Sequence, residues 1–165
     1  MKISATIDYA STPQEVFAML ADEDFQARKC AANGARHHTV SIRAQGERTI
    51  IVTTRDLPTD GLPQFVRSMV GDTLAVTETQ DWGPADADRA RSGKLTVDIA
   101  GAPIDLAGTL SLAPGGQGSV ETVEGDLTAR IPLIGDKIEK AAAPAIQSAI
   151  RVESETGKAW LARGN

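Results

Sequence analysis

Residues 136–162 read DKIEKAAAPAIQSAIRVESETGKAWLA, and the spacing of the apolar positions within that stretch decides the fold. Ile138, Ala142, Ala145, Ala149, Val152, Thr156 and Trp160 recur three and four residues apart, which lines them up as one stripe of an α-helix. Lys137, Lys140, Arg151, Glu155 and Lys158 fall on the far side, so the helix has one wet face and one broad apolar face. A helix of about 26 residues is near 40 Å long. Asp136-Lys137-Ile138-Glu139 has the spacing of a capping box at its start. Pro144 lies inside and removes one backbone bond, a defect of about 3 kcal/mol that a bend relieves. Glu153 falls near the edge of the apolar face, where it is expected to reach solvent.

The chain upstream supplies a surface for that face. From Lys2 to Tyr9, Ile3, Ala5, Ile7 and Tyr9 alternate with Lys2, Ser4, Thr6 and Asp8, the period-two pattern of a half-buried strand. Thr12-Pro13-Gln14-Glu15 then offers a capping hydroxyl, a proline at the first helical position and a capping-box glutamate, so a short helix carries Val16, Phe17 and Leu20 inward. Asp22 caps a second short helix that Asn33-Gly34 ends. Alternation returns with His38, Val40 and Ile42, turns at Gly46, and continues through the β-rich run Thr49-Ile50-Ile51-Val52-Thr53-Thr54. Gln64 to Val70 fits one or two helical turns closed by Gly71. Further strands are marked by Leu74/Val76/Glu78/Gln80/Trp82, Leu95/Val97/Ile99, Ile104/Leu106/Leu110/Leu112 and Val123/Leu127/Ala129/Ile131, punctuated by Gly101-Ala102-Pro103 and Gly115-Gly116-Gln117-Gly118. The expected fold class is α+β: a curved antiparallel sheet of about seven strands around a long C-terminal helix, with two short helices after the first strand and residues 1–165 forming a single domain.

Composition narrows the function classes. With 165 residues the chain can bury one sufficient core without a staple. The opening residues alternate rather than forming a basic and then apolar leader, and no run reaches membrane-spanning length, so a cytoplasmic protein without stable membrane insertion is expected. The single cysteine, Cys30, makes no internal disulfide and reads as an ordinary buried side chain. A net charge of −5, with both signs interspersed, leaves no basic stripe for nucleic acid. His37 and His38 are consecutive on a strand and point to opposite faces, so they do not share a metal ion, and neither metal nor cofactor is expected. Neither Gly115-Gly116-Gln117-Gly118 nor Gly135-Asp136-Lys137 has the Lys-Ser/Thr and helix start of a phosphate loop.

The order of strand, two short helices, meander and long helix resembles the helix-grip fold of the START-like, or SRPBCC, superfamily. Ile3-Ser4-Ala5-Thr6-Ile7-Asp8-Tyr9, Thr12-Pro13-Gln14-Glu15-Val16-Phe17, Ile131-Pro132-Leu133-Ile134-Gly135-Asp136-Lys137-Ile138-Glu139 and Trp160 resemble the domain-of-unknown-function family DUF2505 within it. The resemblance implies a deep apolar cavity between sheet and long helix, a feature used in the superfamily by lipid carriers, polyketide cyclases and stress-protein chaperones. The sequence departs from the enzymatic branches, since one Tyr, two His and one Cys leave little from which to build their sites. It also lacks the glycine-rich loop of the plant stress proteins, having only Ala44-Gln45-Gly46-Glu47 there.

The function expected on these grounds is binding, and by extension transport, of an apolar small molecule or lipid rather than catalysis. The residues expected to line the cavity are His38, Val40, Ile42, Ile51, Phe65, Met69, Val76, Glu78, Val97, Leu106, Leu127, Ala142, Ala145 and Ala149. Glu78 stands in register with Leu74, Val76 and Trp82, where a carboxylate needs a partner or a proton. Two rival readings are a cyclase- or aromatase-like enzyme with Glu78 and His38 as acid and base, and a structural or interaction module whose interior is filled. The sequence leaves the oligomeric state open.

Overall fold

The computed structural model describes residues 1–164. Seven strands form one curved antiparallel sheet: β1 (Lys2–Tyr9), β2 (His37–Gln45), β3 (Arg48–Pro58), β4 (Thr73–Trp82), β5 (Arg91–Ile99), β6 (Ile104–Gly115) and β7 (Gly118–Ala129). Strands β2 to β7 run as a meander, and β1 pairs with β7, giving the order β1-β7-β6-β5-β4-β3-β2. Helices α1 (Pro13–Leu20) and α2 (Glu23–Ala32) follow the first strand, α3 (Gln64–Val70) bridges β3 and β4, and α4 (Gly135–Ala162) spans the concave face. This is the helix-grip arrangement.

Local chemistry accounts for the short helices. Thr12 accepts from the Glu15 amide at 3.2 Å while the Glu15 carboxylate accepts from the Thr12 amide at 3.0 Å, a complete capping box. Asp22 caps α2 by accepting from the amides of Asp24 and Phe25. On β1 the alternation buries Ile3, Ile7 and Tyr9 and leaves Lys2, Ser4, Thr6 and Asp8 in solvent.

The start of α4 differs from its expected form. The helix begins at Gly135 behind Ile134, so Asp136 is not its cap. Glu139 does not turn back on the helix; it accepts from the Ala129 amide at 2.9 Å and meets the Met1 ammonium at 3.2 Å. A strand end and a chain terminus thus take the carboxylate that a capping box would have used. The helix continues through Pro144 as one element of 28 residues.

Two contacts anchor the far end of α4. Trp160 packs edge-on to Phe25 of α2 with ring centres 5.7 Å apart. Gly157 lies against β1 so closely that a methyl group there would stand 3.0 Å from the Tyr9 ring and hydroxyl.

Candidate functional site

The three buried residues of α4 are Ile138 near its start and Gly157 and Trp160 near its end. Between them its apolar side chains are only partly covered, although strands rich in buried aliphatics lie opposite. The helix is therefore pinned at both ends and stands off in the middle. A cavity of about 200 Å³ occupies the gap.

The walls follow from strand pairing. In antiparallel register Val76 lies opposite Ile99, Glu78 opposite Val97 and Gln80 opposite Leu95, and Val97 lies opposite Leu106, which faces Leu127 in turn. Each pair shares a face of the sheet, so one row of aliphatic side chains runs across the concave floor. The helix contributes Ile138, Ala142, Ala145, Ile146, Ala149 and Ile150, and α3 contributes Val66 and Val70.

One end of this apolar space is charged. Lys29 of α2, 1 % exposed, donates to Glu78 Oε1 at 3.0 Å, and its Nζ lies 3.3 Å from Glu153 Oε2 on α4. Arg55 of β3 donates to the other Glu78 oxygen at 2.9 Å. Gln80 donates to Glu78 Oε1 at 2.8 Å and accepts from the Trp82 indole at 2.9 Å. Glu121 of β7 is 1 % exposed and takes the Tyr9 hydroxyl on Oε2 at 3.4 Å. Lys29, Arg55, Glu78, Gln80, Glu121 and Glu153 all border the cavity.

The charges are held by one another. Burial alone would raise the Glu78 carboxyl, but Lys29 and then Arg55 outweigh it and hold Glu78 below the ordinary carboxylate range. Burial would likewise lower the Lys29 ammonium, yet Glu153 and Glu78 keep it above its usual value. Glu121 goes the other way: burial first, then the charge of Glu153, push it up to about 8. Burial, with Glu121 and Glu153, also raises the Tyr9 hydroxyl. The ion pairs thus favour the charged form of Glu78, while burial favours the protonated form of Glu121.

Of the residues expected at the cavity, Val76, Glu78, Val97, Leu106, Leu127, Ala142, Ala145 and Ala149 border it. The remaining six do not. His38 is exposed and Val40 and Ile42 are only half-buried, because β2 is the edge strand. His38 lies opposite Arg55, on the expected side of the sheet, but in solvent. Ile51 is buried in the core and does not border the cavity. On α3, Val66 and Val70 reach the cavity in place of Phe65 and Met69, a rotation of one residue about the helix axis. The acid-base pair of Glu78 and His38 is therefore not assembled at the cavity, and Glu78 is already committed to Lys29 and Arg55. Glu153, expected in solvent, is partly buried and turned toward Lys29.

Sequence reasoning missed Lys29, Arg55, Tyr9 and Glu121 as a group. Part of the signal was present. Glu121 keeps period with Val123, Leu127 and Ala129, and Arg55 keeps period with Ile51 and Thr53, so both stood on core faces. Lys29 shares a helix face with Phe25 and Gln26.

The family described as "Protein of unknown function (DUF2505)" matches residues 4–161. An uncharacterized protein of Mycobacterium tuberculosis is 29 % identical over 166 aligned residues, covering 93 % of this chain and 92 % of its own. Among solved structures, a START superfamily protein from Mycobacterium smegmatis superposes with a TM-score of 0.55 at 10 % identity, covering 99 % of each chain. The Zhui aromatase/cyclase from a Streptomyces species superposes with a TM-score of 0.51 at 12 % identity, over 96 % of this chain and 87 % of the enzyme. At such identities these two structures speak for the fold. Among the described residues no helix is long and apolar enough to cross a membrane.

Proposed function

The chain belongs to the DUF2505 family, and on that premise we propose that it binds, and by extension carries, a small, largely apolar molecule between the sheet and α4. The observation that carries this reading is the stand-off of the helix. Ile138 and Trp160 are buried while the Ala142-to-Ile150 stretch between them contains no buried residue and borders a cavity of about 200 Å³. A filled interior would bury that stretch at the packing density of ordinary cores.

The volume sets the size class. Pockets for drug-sized ligands run from roughly 300 to 1,000 Å³, so this one suits a single medium-length chain or a small ring system. A two-chain phospholipid does not fit. The apolar walls supply affinity by excluding water from the ligand, and the charged end limits how it can be oriented.

Native mass spectrometry of protein purified without delipidation tests the proposal. A retained mass that is lost on denaturation is the expected result, matched by saturable uptake of the uncharged fluorescent probe N-phenyl-1-naphthylamine. Protein that carries no adduct and leaves the probe dark would refute the reading.

A further inference from the structure

The polar end of the cavity contains a fully buried acid whose hydrogen bonding is incomplete. Glu121 is 1 % exposed, borders the cavity, and receives the Tyr9 hydroxyl on Oε2. Among the described residues no other hydrogen bond reaches its carboxyl, so Oε1 is without a protein partner. A polar group this deep is normally satisfied, because leaving it unpaired in an apolar setting is costly. The space beside it is the cavity, where a ligand would sit.

The surrounding charges decide what kind of partner fits. Tyr9 faces Glu121 from β1, Lys29 from α2 and Glu153 from α4, with Arg55 of β3 and Glu78 and Gln80 of β4 closing the same end. Lys29 is matched by Glu78 and Glu153, and Arg55 meets Glu78 through one Nη while its Nε is buried without a hydrogen-bond partner. Two cations and two carboxylates are in balance. A charged head group of either sign would enter an end whose ion pairs already match one another and would bring one uncompensated charge with it.

We infer that Glu121, backed by Tyr9, donates a hydrogen bond from its carboxyl to an uncharged oxygen of the bound molecule, so that the site takes a neutral amphiphile with an apolar body and one acceptor such as an ester or ketone carbonyl. The inference rests on the cavity being a ligand site, as proposed above. Its chemistry is consistent in detail. Tyr9 occupies Oε2 as donor, which leaves Oε1 to carry the proton toward the cavity. An acid raised to about 8 by burial and by Glu153 is protonated near neutral pH and acts as a donor, as carboxylic acids in apolar sites can.

The test uses the full chain and four probes of one chain length: methyl octanoate, octane, octanoate and octylamine, each competed against N-phenyl-1-naphthylamine. Because octane has no head group, it reports the apolar walls alone. Near pH 7 the ester is expected to bind more tightly than either charged homologue. Glu121→Leu should weaken the ester about tenfold and leave octane within about twofold, as loss of one buried hydrogen bond requires. Glu121→Gln keeps a neutral donor and should hold ester affinity within about threefold. Raising the pH through about 8 should weaken the ester in the unmodified protein and not in Glu121→Gln.

The Gln variant and the pH series keep the test decisive if Glu121→Leu does not fold. Octylamine or octanoate binding more tightly than the ester would overturn the inference. So would parallel pH profiles, or equal loss of ester and octane in Glu121→Leu. If octane binds with no head-group preference among the others, only this inference fails; if nothing displaces the fluorescent probe because it never binds, the ligand site itself fails.

Discussion

Lys29 of α2 and Glu78 of β4 meet at 3.0 Å in the protein interior, where the lysine is 1 % exposed, and the pair joins the short helices to the middle of the sheet. Glu153 of α4 closes on the same ammonium from the other side. One cation therefore ties together three layers of structure that are distant in sequence.

Removing that cation leaves Glu153 without an ion-pair partner and Glu78 with Arg55 alone. Lys29→Met is expected to cost about 3–5 kcal/mol, the range for breaking a buried pair on one side. The double variant Lys29→Met/Glu153→Gln should recover part of the loss, since it also removes the carboxylate whose only ion-pair partner was Lys29. Chemical denaturation of both proteins measures this, and a single variant as stable as its parent would show that water reaches the cluster.

The protonation of Glu121 gives stability a definite pH course. Its folded value lies above its ordinary one, so the folded form binds the extra proton, and stability is fully present below about 4.5 and declines as pH rises through about 8. The slope for one proton is at most about 1.4 kcal/mol per pH unit. Glu78 has the opposite sign: its depressed value adds stability that is lost on acidification. Urea titrations from pH 5 to 9 should show the decline in the parent and its absence in Glu121→Gln; superimposable pH courses would exclude the assignment.

Ala145 lies in the stand-off region of α4, next to Pro144, and borders the cavity. Overpacking a tight core costs about 1–3 kcal/mol, but Ala145 is exposed at the border of the cavity, so an added ring has room there. Ala145→Phe should leave the thermal midpoint unchanged or raise it while weakening uptake of N-phenyl-1-naphthylamine. A marked fall in midpoint with uptake intact would place Ala145 in a close-packed contact.

Gly157 is the contrasting case on the same helix. Alanine is about 1 kcal/mol better than glycine inside a helix, yet here the new methyl would press within 3.0 Å of Tyr9 and 3.1 Å of the Met19 methyl. Tyr9 is buried and bonded to Glu121, so it has little room to yield. Gly157→Ala is expected to lower the thermal midpoint, and a rise of several degrees would show that β1 yields.

The fold was legible because its signals are local and repeated. The period-two runs from Ile3 to Tyr9 and from Leu74 to Trp82, the Thr12–Glu15 box and the three-and-four spacing after Ile138 each report backbone geometry within a few residues. Those same periods placed Val76, Glu78, Val97, Leu106 and Leu127 on the concave face. What periodicity cannot report is how far α4 extends laterally over that face, and so His38, Val40 and Ile42, on the edge strand, share the expected face without bordering the cavity. Nor does it pair charges across elements: Lys29, Arg55, Glu78 and Glu153 each look anomalous alone on an apolar stripe, and only tertiary packing shows that they neutralise one another. Glu121 carried its sign in plain alternation, but its meaning depended on Tyr9, which is 112 positions away.

The pairing of β1 with β7 also governs the order in which the molecule can be made. The Met1 ammonium donates to the Leu127 carbonyl across 126 positions of sequence, whereas β3 to β7 each pair with the strand just completed. As the chain leaves the ribosome, the first strand has no partner until nearly the whole sheet has been synthesised. Throughout that interval Ile3, Ile7 and Tyr9, buried in the finished fold, lack the sheet partner that β7 provides. Tyr9 and Glu121 come together only when β1 pairs with β7, and Glu153 reaches the same polar end from α4, which is synthesised after both strands.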